Sequence, residues 1–210
     1  FDPTMKPIYR KVRKAGILRI SSGDDIAGKR DLWVSHSDSA AYGQALADAL
    51  ASQMGNKGEY AILEEPVCSP IPRSCEFAST HTLAKAVAAY IPKAYPNMKS
   101  DGLQTETGAG DQTEVDSVKS FMAAHPNLKG LISITPQETR MTAEAITEAG
   151  RIGQIFLAGN GGMTPVDSQL AGYVRSGAAE LVYVDSNQKL GYLTVWAASY
   201  LLTGHHFRFG

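Results

Sequence analysis

Residues 125–162 read HPNLKGLISITPQETRMTAEAITEAGRIGQIFLAGNGG, and the alternation of apolar runs with amphipathic helical spacing along them decides the fold. His125-Pro126-Asn127 leads into an apolar run, Gly130-Leu131-Ile132-Ser133-Ile134, whose length and β-branched content suit a buried strand. Met141, Ala145 and Ile146 then recur at helical spacing until Gly150 ends the helix. Ile155-Phe156-Leu157-Ala158 is the next strand, expected to run into a turn at Gly159-Asn160-Gly161-Gly162. Two such strands joined by a helix require a crossover, so they lie parallel with helices over the faces of their sheet.

The same unit recurs outward in both directions. Upstream, a helix ended by Gly16 precedes a strand at residues 17–21, and residues 31–35 form a second short strand. From Tyr42 a helical stripe passes through Ala45, Leu46, Ala49, Leu50 and Met54, and Gly55-Asn56-Lys57-Gly58 stops it before a strand at residues 59–63. A helix capped by Ser79 or Thr80 carries Leu83, Val87 and Ile91 and is expected to end near Pro92 and Pro96. A strand near residues 100–105 follows, then a helix with Val115, Val118 and Met122. Downstream come a helix to about Gly177, a strand at Leu181-Val182-Tyr183-Val184, and a last helix from Leu190 to Leu201, closed by Gly204. The expected class is α/β, with mainly parallel sheet and helices on both faces.

Composition excludes several functions. A net charge of -1 over 210 residues gives no electrostatic footprint for nucleic acid or an anionic membrane. No apolar run approaches the ~20 residues that span a bilayer. The chain begins Phe1-Asp2-Pro3 without an initiator Met, as expected of a mature, processed or trimmed product. No Gly-x-Ser-x-Gly, His-Glu-x-x-His or Walker lysine pattern is present, and Gly159-Asn160-Gly161-Gly162 lacks the Lys-Ser/Thr that holds phosphate and metal. His36 and Asp38 suggest an acid–base pair but have no nucleophile beside them, and His205-His206 diverge as surface residues. We therefore expect no catalytic residue, no metal and no cofactor. Cys68 and Cys75 share one proline-bracketed loop. They would close a short disulfide in an oxidising compartment and remain thiols in cytosol.

Several joined features carry a resemblance. Lys14-Ala15-Gly16-Ile17 precedes a strand and the acidic pair Asp24-Asp25, and Val34-Ser35-His36-Ser37-Asp38 opens a helix that ends Met54-Gly55-Asn56-Lys57-Gly58. Lys93-Ala94-Tyr95-Pro96 and Ala124-His125-Pro126-Asn127-Leu128-Lys129-Gly130 each lead into a strand. Ser176-Gly177, a strand, Asp185 and Leu190-Gly191-Tyr192 follow, ending Leu201-Leu202-Thr203-Gly204. In this order and spacing the chain resembles, over nearly its whole length, the type I periplasmic sugar-binding proteins and the related effector domains of repressors. Within that superfamily it is most similar to the branch that binds rhamnose or the autoinducer-2 furanose. Gly23 and Gly161 stand where many sugar binders carry aspartates; the second replacement is shared with that branch.

The resemblance implies two Rossmann-like lobes with parallel sheets. Residues 1–33 and 186–210 would belong to a first lobe that is incomplete, and residues 34–185 would form a complete second lobe. A β-α-β unit would precede Phe1, a further segment would follow Gly210, and the apolar surface of the half-lobe would favour dimerisation or strand exchange. The implied function is an extracytoplasmic, periplasmic solute-binding protein. It would capture a small sugar or sugar-like ligand between its lobes and deliver it to the permease subunits of an ABC transporter. The alternative is the effector-binding domain of a LacI-like transcription regulator.

Ligands of open parallel sheets bind beyond the carboxyl ends of the strands. Those ends supply Asp24 and Asp25, the loop 66–80 with Phe77, then Thr135, Pro136 and Gln137, Asn160 in its glycine run, and Tyr183 with Asp185. Thr80 and His81 lie near the contacts that the resemblance assigns to the second lobe. Carboxylates and amides here would pair with sugar hydroxyls, and Phe77, Tyr183 or Trp33 would cover the flat face of the ring. Plainer roles stand beside these: turn chemistry for Asp24 and Asp25, helix capping for Thr80 and Asp185, a surface position for His81, and core packing for Tyr183 and Trp33.

Overall fold

The computed structural model describes residues 6–23, 30–35, 38–64, 78–105, 111–163 and 168–207. Along the chain the elements are α1 (Lys6–Lys14), β1 (Ile20–Ser22), β2 (Leu32–Val34), α2 (Ser39–Met54), β3 (Gly58–Glu64), α3 (Ala78–Ala94), β4 (Met98–Thr105) and α4 (Asp111–Ala124). They continue as β5 (Leu128–Ser133), α5 (Pro136–Glu148), β6 (Phe156–Met163), α6 (Ser168–Ser176), β7 (Leu181–Asp185) and α7 (Asn187–Leu202). Every strand pair is parallel, in a two-stranded sheet β1-β2 and a five-stranded sheet of order β4-β3-β5-β6-β7. The α/β class with parallel sheets is thus as the periodicity implies.

Alternation along each strand sends neighbouring side chains to opposite faces of the larger sheet. Tyr60, Ile62, Ile132, Ile134 and Ala158 pack under α2 and α3 with Leu46, Leu50, Val87 and Ile91. Ala61, Leu63, Leu131 and Leu157 pack on the other side with Val115, Val118 and Met122 of α4 and Met141 and Ile146 of α5. Both faces are covered, so the strands read as continuous apolar runs and not as alternating ones. Asp38 opens α2 by accepting a hydrogen bond from the Ala40 N–H at 2.8 Å. Gly55, at φ 65°, closes it, with the Gly55 and Asn56 N–H groups donating back to Ser52 and Ala51.

Three expectations need correction. First, α3 begins at Ala78, so Ser79 and Thr80 lie inside the helix and neither is its N-cap. The helix also passes through Pro92 to Ala94: a proline so near the end removes only one bond from the ladder. Second, residues 159–162 do not end the strand in a turn: β6 runs on to Met163, paired with β5 as far as Gly159 and with β7 beyond it, with an irregular register between Asn160 and Met163. Gly159 pairs with Ser133 on one side and Val182 on the other, and Asn160 pairs with Tyr183. The glycines mark close approach instead: a Cβ on Gly159 would collide with Thr139, and one on Gly161 with Val182. Third, Trp33 and Tyr183 are not core residues, being 38% and 36% exposed. Trp33 lies in the two-stranded sheet, where its Nε1–H donates to the Gly23 carbonyl at 2.6 Å. Tyr183 lies on β7, an edge of the larger sheet.

The Gly159 contact gives a measurable expectation. Thr139 is fully buried and its hydroxyl donates to the Thr135 carbonyl at 2.8 Å, so it cannot turn aside without losing that bond. Gly159→Ala should therefore destabilise by about 1–3 kcal/mol, a fall of roughly 2–4 °C in Tm for each kcal/mol. Thermal denaturation of the variant checks this, and an unchanged Tm would mean that α5 moves away from β6 without penalty.

The smaller sheet is pinned at its start by Arg19, whose guanidinium donates to Asp31 at 2.6 and 3.1 Å. That bond holds the Asp31 carboxyl below its ordinary pKa. After β7 the chain returns to this sheet: α7 packs on β1 and β2, with the Ser22 and Thr194 hydroxyls 3.0 Å apart. On α7, Tyr192, Val195 and Leu202 are exposed. Among the described residues no helix is long and apolar enough to cross a membrane.

Candidate ligand-binding edge

In the order β4-β3-β5-β6-β7 the winding reverses between β3 and β5. The chain leaves β3 toward α3 on one face and leaves β5 toward α5 on the other, which opens a crevice at the carboxyl end of the sheet. Glu64 ends β3 at this point and is 3% exposed. Its Oε2 lies 3.3 Å from Nδ1 of His81, in the first turns of α3. His81 is therefore a partly exposed histidine that lies beside a buried carboxylate. Thr80, next to it, is also half-buried.

Across the crevice, the β5–α5 junction is held by a reciprocal cap. The Glu138 carboxylate accepts hydrogen bonds from the Ile134 and Thr135 N–H groups at 3.0 and 2.9 Å, and Thr135 Oγ1 accepts from the Glu138 N–H at 3.2 Å. All three residues are buried. The Thr135 hydroxyl is thus committed to the helix cap, with the Glu138 side chain completing the box. Asn160 ties β6 to the same junction. Its Nδ2 donates to the Ile134 carbonyl at 3.1 Å and its Oδ1 accepts from the Gly162 N–H at 2.7 Å. One amide proton and one lone pair of Asn160 remain beyond those two bonds.

Tyr183 stands beside Asn160 in the sheet, and its ring lies against that of Tyr42, with centroids 4.1 Å apart and planes at 35°. Asp185 is two residues further along β7, so it shares the face of Tyr183 that looks toward α2. The capping role considered for Asp185 falls to its neighbour: Ser186 is the N-cap of α7 and its Oγ accepts from the Lys189 N–H at 3.2 Å. Tyr42 is buried under this corner. Burial first, then the charge of Asp185, then Tyr183 hold its phenol far above the ordinary tyrosine value, so it stays protonated.

On the opposite face of the sheet, Pro136, Gln137, Arg140, Gly161 and Leu170 line a cavity of about 220 Å³. The candidate residues therefore divide. His81, Asn160, Tyr183 and Asp185 gather along the rim on the side of α2 and α3, while Pro136 and Gln137 lie with Gly161 on the side of α5. Both groups border the carboxyl edge of one sheet.

The sequence matches the periplasmic binding protein domain family over residues 2–206. The chain belongs to that family. Solved structures agree at the level of fold. A carbohydrate-transporter solute-binding protein from Agrobacterium radiobacter, in complex with D-arabinose, superposes with a TM-score of 0.72 at 19% identity. The match covers 97% of this chain and 65% of that one. An ABC-transporter solute-binding protein from Agrobacterium vitis, bound to alpha-D-tagatopyranose, gives a TM-score of 0.75 at 19% identity, over 97% of this chain and 67% of that one. Another from Clostridium phytofermentas, with bound L-rhamnose, gives 0.69 at 20% identity, over 95% and 60%. The chain thus spans about two thirds or less of the length of these solute-binding proteins. No curated protein matches the sequence.

Two rim residues escape a reading of the sequence alone. Glu64 closes an apolar strand, where a carboxylate reads as the first residue of a loop, yet it shares the parity of Tyr60 and Ile62 and so faces α3. Arg140 sits one turn into α5, a position that reads as solvated helix surface. Asp24, Asp25, Phe77, His36 and the pair Cys68 and Cys75 lie outside the described residues.

Proposed function

We propose that this protein is the sugar-capturing component of an ABC transporter, an extracytoplasmic solute-binding protein that closes two lobes around one small monosaccharide and presents it to the permease. The observation that carries the proposal is the carboxyl-edge rim of a periplasmic binding protein fold, along which Asp185, Tyr183 and Asn160 supply a carboxylate, an aromatic ring and an amide of the kinds that a polyol pairs with. In this reading residues 34–185 are one lobe, and residues 1–33 share a second lobe with residues 186–210. The packing of α7 on β1 and β2 supports that division. A cavity of about 220 Å³ is below the roughly 300–1,000 Å³ usual for enclosed ligand sites. That size suits one wall of a site completed by hinge closure.

The solved structures described above are all solute-binding proteins of transporters, which favours transport over the effector domain of a LacI-like regulator. Their sugars are D-arabinose, tagatopyranose and L-rhamnose. A small neutral monosaccharide is therefore the supported class, and rhamnose and autoinducer-2 belong in the panel without precedence. A thermal-shift screen of the full-length protein against pentoses, hexoses, deoxy-sugars and autoinducer-2 tests the proposal. A ligand at ~100 times its Kd should add about 2.7 kcal/mol of stability. A flat response to every sugar, with a shift produced by a different ligand class, would overturn it.

A further inference from the structure

Glu64 and His81 form a pair at the rim that packing alone does not require. Glu64 follows the buried run Tyr60–Leu63 at the end of β3 and is itself buried. A carboxylate kept from water is unfavourable unless a donor meets it, and an apolar side chain would continue the run without that demand. The donor it meets is the ring of His81, with Nδ1 3.3 Å from Oε2. Glu64 is also the better anchored of the two. Its strand lies inside the sheet, paired with β4 through Thr105, and the Ile134 N–H donates to the adjacent Leu63 carbonyl at 3.2 Å. His81 sits in the first turns of α3, and its side chain is 37% exposed against 5% for that of Glu64. With Nδ1 turned to the buried partner, that exposure falls on the edge of the ring that carries Nε2.

We propose that Glu64 is a positioning residue for ligand capture: it holds the His81 ring by Nδ1 and so presents Nε2 to a hydroxyl of the ligand. The assignment rests on the sugar-binding reading above. A carboxylate accepts and does not donate, so Nδ1 carries the shared proton. The two ring nitrogens lie on different edges, and a bond at one fixes where the other looks. Without that bond a partly exposed histidine turns among rotamers, and the ligand must stop the motion on binding. A sugar hydroxyl both donates and accepts, so it pairs with Nε2 in either protonation state of the ring. Glu64 itself stays out of contact: its carboxylate is enclosed, and the ligand meets imidazole. The crevice between β3 and β5, where the winding of the sheet reverses, is where this edge of the ring is useful.

The test is binding calorimetry on the full-length protein with D-arabinose, L-rhamnose and D-fucose as probes. The wild type is compared with His81→Ala, Glu64→Met, the pair of these, and Glu64→Gln. His81→Ala should weaken binding roughly 10-fold, the loss of one hydrogen bond to the ligand. Glu64→Met should weaken it by a similar factor and add almost nothing in the His81→Ala background, because Glu64 acts through that ring. Its ligand-free Tm should equal or exceed that of the wild type, since a buried carboxylate gives way to an apolar chain of like size. Glu64→Gln keeps an oxygen that accepts from Nδ1 and should keep most of the affinity. Glu64→Leu takes the place of Glu64→Met in the cycle if the latter does not fold. A second readout is nitrogen NMR of protein labelled at histidine, in which saturating sugar should move the Nε2 resonance of His81 and move it less in Glu64→Met. Wild-type affinity in His81→Ala or Glu64→Met, losses that add in the double variant, or an Nε2 resonance that sugar leaves in place would each overturn the assignment. If the wild type binds none of these sugars, the sugar-binding reading itself falls and takes the assignment with it. If the wild type binds and the two losses add, only the assignment falls.

Discussion

Changing Asp185 to alanine should weaken sugar binding by the full-length protein about 100-fold, while costing the ligand-free protein no helix cap. The magnitude follows from removing a charged acceptor that holds ligand hydroxyls: bonds to a charged group contribute about 1.5–3 kcal/mol each, and about 2.7 kcal/mol corresponds to 100-fold in Kd. The stability half of the expectation comes from the local structure. Were Asp185 the cap of α7, its loss would remove a hydrogen bond from the helix end and destabilise by about 1 kcal/mol. Ser186 does that work, through its bond to the Lys189 N–H. A variant that binds normally would remove Asp185 from the site. One that loses Tm and affinity together would return it to a structural role. Titration calorimetry and thermal denaturation of the same sample separate the outcomes.

Glu138→Ala should lower stability by about 1–3 kcal/mol. One buried carboxylate oxygen accepts the N–H groups of both Ile134 and Thr135. Removing it leaves the buried Thr135 N–H unsatisfied, unfavourable by about 1–3 kcal/mol, while the Ile134 N–H keeps its second acceptor, the Leu63 carbonyl at 3.2 Å. The same peptide segment carries the Ile134 carbonyl to which Asn160 donates, so the damage spreads from α5 to β6 and should also weaken ligand binding. Glu138→Gln keeps an acceptor oxygen in place and should lose less than half as much. Denaturant unfolding of the two variants checks the order. Equal stability of the alanine variant and the wild type would mean that water or a shifted helix end supplies the missing acceptor.

The fold was legible in the sequence because its strands are buried on both faces and its crossovers are helical. Runs such as Leu131–Ile134 and the stripe from Tyr42 to Met54 leave few alternatives to a parallel α/β sheet. Finer features turn on information that a linear reading lacks. Glycine signals both a turn and a close approach, and only the positions of Thr139 and Val182 across from Gly159 and Gly161 decide between them. Capping differs by one residue between Asp185 and Ser186, which local composition does not resolve. In α3 the helix starts before both of the residues chosen as its cap.

The site was partly legible, for a similar reason. The rule that ligands meet the carboxyl ends of parallel strands singled out Asn160, Tyr183 and Asp185, and the family resemblance singled out His81. Neither could tell that Asn160 is already bonded to backbone on two sides, or that Pro136 and Gln137 border the other face. Glu64 was hidden because it looks like an ordinary strand end. Its burial against His81 appears only when β3 and α3 come together in space.

The central claim is that the full-length protein binds a small monosaccharide at this rim. Isothermal titration of the full-length protein with D-arabinose, L-rhamnose, D-fucose and D-allose tests it most directly. The expected result is saturable 1:1 binding of at least one sugar, lost or strongly weakened in Asp185→Ala. Absence of binding across the series, or binding that Asp185→Ala leaves intact, would contradict it.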